Sequence, residues 1–159
     1  MGSGYLLSNP VPILIFILAL ILAAIVLRHT RLGRYTYAIG GNEETVKLSG
    51  INADFYKTVA YIISGVTAAL AALVLTARLN AGEPIAGTGY ELDVIASVVI
   101  GGTSLMGGRG GVWGTLIGAL LIGTINNGMN LLGISSYWQA VVKGLIIVGA
   151  VWLDRLREE

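Results

Sequence analysis

Cysteine is absent from the chain, which excludes a disulfide framework and any thiolate nucleophile or metal ligand. Charge is scarce as well: only 12% of the 159 residues are charged, about half of the ~25% that a soluble domain carries. One histidine, His29, stands beside Arg28 at the edge of an apolar run, a place for orientation rather than chemistry. No paired carboxylates, Ser-His-Asp set or metal-ligand cluster is legible in the apolar runs, so catalysis by this chain is not expected. A Gly-x-x-x-x-Gly-Lys-Ser/Thr loop is also missing, so nothing here is expected to cradle a nucleotide. The net charge of +1 gives no reason to expect a nucleic-acid partner. What remains is apolar: 55% of the residues, with a mean hydropathy of +0.78. Runs near 20 residues long point to membrane helices, the form in which an apolar chain satisfies its own backbone. The expected fold class is an all-α integral membrane protein.

Residues 1–10 are a polar lead-in, with Asn9-Pro10 as a breaker. They lack the basic start and small-residue cleavage site of a secretory signal. Val11 to Leu27 is an uncharged first span. Between residues 28 and 57 lie five Lys or Arg, the densest basic segment of the chain. The positive-inside rule makes that loop cytoplasmic. Val59 to Ala77 is a second span, rich in small residues that permit close helix packing. Residues 78–93 read as an outside loop. Val94 to Met106 is apolar but only thirteen residues long, a short, broken or re-entrant helix. A turn at Gly107-Gly108-Arg109-Gly110-Gly111 leads to Val112 to Leu132, and after a second turn Trp138 to Leu153 forms the last span. Tyr137, Trp138 and Trp152 stand near span ends, as interfacial aromatics do. Five crossings place the N-terminus outside and the basic tail, Arg155 and Arg157, inside. No internal repeat is visible.

The polar stretch at 40–51, inside the loop at 28–57, reads as a short helix with its own punctuation. Asn42 is a good N-cap, Glu43 and Glu44 bring negative charge to the first turn, and Gly50 is a natural stop. Glu43 and Lys47 are spaced for an ion pair. A helix of about two turns is not stable alone and needs a surface. It is either a solvated loop helix or a docking element. Gly110, Gly114 and Gly118 repeat the small-residue spacing that lets two helix backbones approach. Asn126 and Asn130 share one face of a span, and with Ser97 and Thr103 they are candidates for a polar path. Interhelical hydrogen bonding explains the two asparagines equally well. Arg109 among glycines reads as an orientation charge rather than an anion site. Lys143, close behind Trp138, reads as a lysine snorkelling to the outer interface. The spans so bounded hold no acidic residue, which argues against an ion-coupled carrier.

Several of these residues carry a family resemblance. Gly40-Gly41-Asn42-Glu43-Glu44 through Ser49-Gly50-Ile51 resembles the cytoplasmic coupling segment of ABC importer permeases, with Thr45 and Val46 where that loop has two alanines. Further on stand Gly87-Thr88-Gly89-Tyr90-Glu91-Leu92-Asp93, Val99-Ile100-Gly101-Gly102-Thr103-Ser104-Leu105, Gly107-Gly108-Arg109-Gly110 and Trp113-Gly114-Thr115. With Asn126-Asn127-Gly128 and Lys143-Gly144, these resemble the C-terminal half of ribose-type monosaccharide importer permeases. The resemblance covers roughly residues 30–154. It implies a single permease domain over 1–159 in a bacterial inner membrane, importing a ribose-like sugar at the expense of ATP hydrolysed by a separate subunit. It makes Asn42, Glu43, Glu44, Lys47, Ser49 and Gly50 the contact to that ATP-binding subunit. An extracytoplasmic sugar-binding protein would meet the loops at 78–93 and 133–137. The remaining partners would be lipid and either a second permease copy or an N-terminal half. No cofactor is expected on this chain. The alternative readings are a truncated or scaffold membrane protein without transport of its own, then an ion-coupled carrier.

Overall fold

A computed structural model describes residues 5–6 and 9–156; Arg157 of the basic tail lies outside the described residues. Of the lead-in, β1 (Tyr5–Leu6) and β2 (Asn9–Pro10) pair antiparallel, with Tyr5 opposite Pro10. Everything else that is regular among the described residues is helical, the form in which an apolar chain satisfies its backbone in lipid. Three described helices are long and apolar enough to cross a membrane: α1 (Val11–His29), α4 (Ala53–Leu79) and α6 (Val112–Leu131). Their large side chains face outward. Phe16, Leu22, Tyr61, Leu73, Ile117 and Leu120 are each about half exposed or more, the inverse of a soluble core and the arrangement lipid requires. Contacts within the chain fall into two compact units, 1–87 and 88–159.

In the first unit, α1 ends where Thr30 turns the chain. The Thr30 hydroxyl donates to Val26 O at 2.7 Å and accepts from Gly33 N, the N-cap bond of α2 (Arg31–Gly41). The six-residue α3 (Glu43–Leu48) follows immediately. Asn52 then caps α4 by accepting from Phe55 N at 3.1 Å. Helix α4 therefore begins in the polar segment, six residues before the apolar run, and carries Lys57 in its second turn. Tyr35 on α2 meets Tyr56 on α4 edge to face, with centroids 4.9 Å apart, the geometry favoured by aromatic quadrupoles.

The second unit packs α5 (Tyr90–Ile100) against α6 and against α7 (Ser136–Leu156). Helix α5 is the short member of the expected set. Its 11 residues reach only about 16 Å, half of a ~30 Å hydrocarbon layer. The expected thirteen-residue segment at 94–106 is corrected at both ends. The helix begins four residues earlier, at Tyr90, and stops at Ile100 because Gly101 and Gly102 turn the chain, the latter at φ 83°. The turn is closed by Ser104 N donating to Arg109 O at 3.1 Å and Met106 N donating to Ser104 Oγ at 3.2 Å.

Close approach of two backbones sets the α5–α6 distance. A Cβ at Gly114 would lie 1.9 Å from Gly101 O, and one at Gly118 would lie 1.9 Å from Ser97 O. Both are impossible contacts, so only glycine allows this packing. The two helices run antiparallel: Gly101 is level with Gly114 near the start of α6, and Asp93 is level with Asn126 near its end.

Candidate functional site

The sequence singles out two regions, one in each unit. In the first, α3 is bounded by its own side chains. Asn42 Oδ1 accepts from Thr45 N at 2.9 Å, and Ser49 Oγ donates to Thr45 O at 2.9 Å. At the other end Gly50 takes φ 79°; its N–H donates to Lys47 O and that of Ile51 donates to Val46 O. This is a Schellman stop, in which a left-handed residue satisfies carbonyls the helix leaves open. Val46 is turned inward and buried.

Charge then ties the short helix to its long neighbour. Glu43 Oε1 pairs with Lys47 Nζ at 2.7 Å, and Glu43 Oε2 takes Lys57 Nζ from α4 at 2.5 Å. These two ammonium groups, Lys47 first, hold the Glu43 carboxyl down from its ordinary 4.5 to about 2. The same pairing raises the Lys47 ammonium. The consequence is positional: the Lys57 bond spans α3 and α4, so α3 cannot swing without losing it. On the outer side, Glu44 is exposed and Leu48, one turn on, is 84% exposed. Leu48 is the residue the sequence reading missed here. Its signal was an apolar side chain in a six-residue polar helix whose one buried position is already taken by Val46.

In the second unit the candidate path residues are split. Ser97 and Asn126 line one groove between α5 and α6, of about 310 Å³. Thr103 lies at the far end of α5, packed where Gly110 has no side chain. Asn130 is exposed and accepts from Gln139 Nε2 of α7 at 2.8 Å, an interhelical bond outside the groove. Ser97 Oγ donates to Asp93 O at 2.6 Å within its own helix.

The centre of this unit is a charged cluster placed differently by the sequence reading. Asp93 belongs to the first turn of α5, not to an outside loop. Lys143 does not snorkel. Its side chain is 12% exposed and its Nζ lies 2.6 Å from Asp93 Oδ1, because a counter-ion is nearer than the interface. The ammonium is at ion-pair distance from Oδ1 but off the hydrogen-bonding direction. Asp93 Oδ2 accepts from Asn126 Nδ2 at 3.1 Å. Asn126 Oδ1 is buried and accepts no hydrogen bond from the described residues. Asn126 stands five residues before the end of α6, about 8 Å along its axis. An acid and a base therefore meet beside a span-length helix; the spans as first bounded hold no acidic residue, and the acid enters because α5 starts at Tyr90, ahead of the expected boundary. Lys143 carried the signal, since a buried ammonium needs a carboxylate and Glu91 and Asp93 were among those the sequence offers.

Residues 2–151 match the family described as branched-chain amino acid transport system / permease component. The ribose import permease protein RbsC of Bacillus subtilis (strain 168) is 54% identical over 154 residues, covering 97% of this chain and 48% of that protein. The D-allose transport system permease protein AlsC of Escherichia coli (strain K12) is 49% identical, covering 97% and 47%. The xylose transport system permease protein XylH of Haemophilus influenzae is 48% identical, covering 97% and 42%. The chain thus spans about half the length of the curated relatives it matches. No solved structure matches it.

Proposed function

The chain belongs to the branched-chain amino acid transport system / permease component family, and from that membership we propose that it is a transmembrane component of an ATP-driven importer of a monosaccharide, ribose-like in class. Relatives named for ribose, xylose and allose transport support the sugar class. The working protein is a multi-pass assembly in the bacterial inner membrane. It includes further spans beside these, from a second copy or from sequence such as the relatives carry outside the matched half. ATP is hydrolysed by a separate cytoplasmic subunit, and an extracytoplasmic binding protein delivers the sugar.

One observation carries the coupling role: α3 presents Glu44 and Leu48 outward while Val46 and the Glu43–Lys57 pair fasten its other side. A helix held on one face and bare on the other is built to transmit force from a partner to α4. ATP-driven closure of the partner moves α3, and the pair to Lys57 passes that displacement to the start of a 27-residue span. Asn42 and Ser49 fix the ends of the lever, and Gly50 stops it before α4 begins.

The test is copurification of the tagged chain with its cognate ATP-binding subunit after gentle solubilisation. Association is expected for the parent chain and is weakened by Glu44→Lys, by Leu48→Asp and by Gly50→Val. A left-handed backbone costs a β-branched residue about 1–2 kcal/mol, enough to deform the stop without preventing insertion. Undiminished copurification in all three variants would refute the docking role.

A further inference from the structure

The elbow between α1 and α2 gathers arginines that no described carboxylate neutralises. Arg28 stands in the last turn of α1, and Arg31 and Arg34 stand one turn apart at the start of α2. All three are exposed and none is ion-paired among the described residues. Close backbone contact fixes the bend: a Cβ at the buried Gly33 would lie 2.1 Å from Leu27 O. The start of α2 is therefore seated on the last turn of α1. That contact brings Arg34, the neighbour of Gly33, toward Arg28, the neighbour of Leu27. Arg31 and Arg34 share one exposed stripe of α2 with Ala38. Like charges so close repel, and an anion that bridges them lowers the energy of the elbow.

Depth and surroundings identify the anion. Helix α1 has 19 residues, about 28 Å of length, a match to a ~30 Å hydrocarbon layer. Arg28, one residue from its end, falls at the level of lipid headgroups, on the side that the positive-inside rule makes cytoplasmic. Leu14, Leu18, Ile21 and Ile25 run along the same face of α1 at helical spacing, each 38–59% exposed. An apolar rail that ends in three guanidinium groups suits hydrocarbon chains joined to a phosphate. Guanidinium forks take phosphate oxygens in pairs, and a zwitterionic headgroup brings an ammonium that the arginines repel. A free phosphate or a nucleic acid would leave the rail unused. We infer that the α1–α2 elbow binds an anionic phospholipid of the inner leaflet. Arg28, Arg31 and Arg34 hold its phosphate, and one acyl chain lies along α1. The bound lipid braces the bend at which α1 gives way to the helix that leads into α3.

The test is native mass spectrometry of the full chain in detergent, titrated with palmitoyl-oleoyl phosphatidylglycerol or the matching phosphatidylcholine. One phosphatidylglycerol binds clearly tighter than phosphatidylcholine. Arg28→Gln, Arg31→Gln and Arg34→Gln each weaken it about fivefold, and the three together about a hundredfold, the worth of basic residues near an anionic surface. Arg78→Gln, which removes a lone exposed arginine in the last turn of α4, leaves it unchanged. Lysine at all three elbow positions keeps the charge and most of the binding, which separates a phosphate contact from a loss of fold. Glycerol phosphate, a headgroup without chains, does not compete. Equal binding of the two lipids, or a triple glutamine variant that binds like the parent, overturns the inference. So does full competition by glycerol phosphate, which makes a free phosphate the ligand. Release of the lipid when the cognate ATP-binding subunit associates also overturns it, because the arginines then belong to that partner.

Discussion

Removing one member of the Asp93–Lys143 pair should be far more damaging than removing both. With side chains 12% and 21% exposed, the two charges are largely out of water, and deleting one leaves the other buried without a counter-ion. The expected loss is about 3–5 kcal/mol for Lys143→Met or Asp93→Asn alone. The double variant leaves no charge behind, and the amide introduced by Asp93→Asn keeps an oxygen for the Asn126 Nδ2 donor. Its loss should therefore be smaller than that of either single, which requires a coupling of at least about 3 kcal/mol, the upper end of the range for neighbours in contact. The assay is thermal: solubilised protein is heated in steps and the monodisperse fraction is read by size-exclusion chromatography. At roughly 2–4 °C per kcal/mol for a chain of this size, each single variant should melt about 6–20 °C low and the double variant clearly above both. A lysine that merely snorkelled would give a different result: an unchanged midpoint for Lys143→Met and additive losses. Either outcome would refute the buried pair.

Two further predictions concern the helix contacts. Gly118→Ala must open the α5–α6 gap by about 1.5 Å, the shortfall between 1.9 Å and ordinary contact near 3.4 Å, an overpacking cost of about 1–3 kcal/mol or more. Gly123→Ala, where a Cβ meets open space, should be tolerated, and the same thermal assay compares the two. The third is a pH effect at α3. Glu43 has a folded pKa of about 2 against an ordinary 4.5, so its contribution is fully present above about pH 4.5 and is lost as pH falls from there through 2. Titration of the Glu43 carboxyl by NMR in nanodiscs should show the low midpoint, and Lys47→Met should move it back up toward 4.5. A midpoint unmoved by that variant would mean the pairing is not formed.

The long spans were legible because lipid imposes a length and a polarity that few other contexts require. Val11 and Val112 begin helices where the apolar runs begin. The ends of α3 were legible for a local reason: Asn42 and Gly50 act on backbone within three or four residues of themselves. Helix α2 was missed because Arg-Leu-Gly-Arg-Tyr-Thr-Tyr-Ala-Ile-Gly-Gly has three glycines and no apolar run; its helicity comes from the Thr30 cap and from packing on α4. The start of α5 was missed because a hydropathy boundary stops at a charge. Asp93 stands in the first turn of the helix and meets Lys143, fifty residues on, and that pairing is tertiary information. Likewise Asn126 and Asn130 share a helical face in sequence, but α5 covers one and α7 engages the other.

The coupled transport role is tested most directly by sugar uptake. Cells lacking their own ribose permease would co-express this chain, the cognate ATP-binding subunit and sugar-binding protein, and the part of the Bacillus subtilis ribose import permease that lies outside the match. Accumulation of labelled D-ribose is then measured with and without Gly50→Val. The expected result is ATP-dependent accumulation that falls with Gly50→Val while membrane insertion is unchanged. An inserted, partner-bound chain that accumulates no sugar, or one whose uptake ignores the α3 lesion, would contradict it.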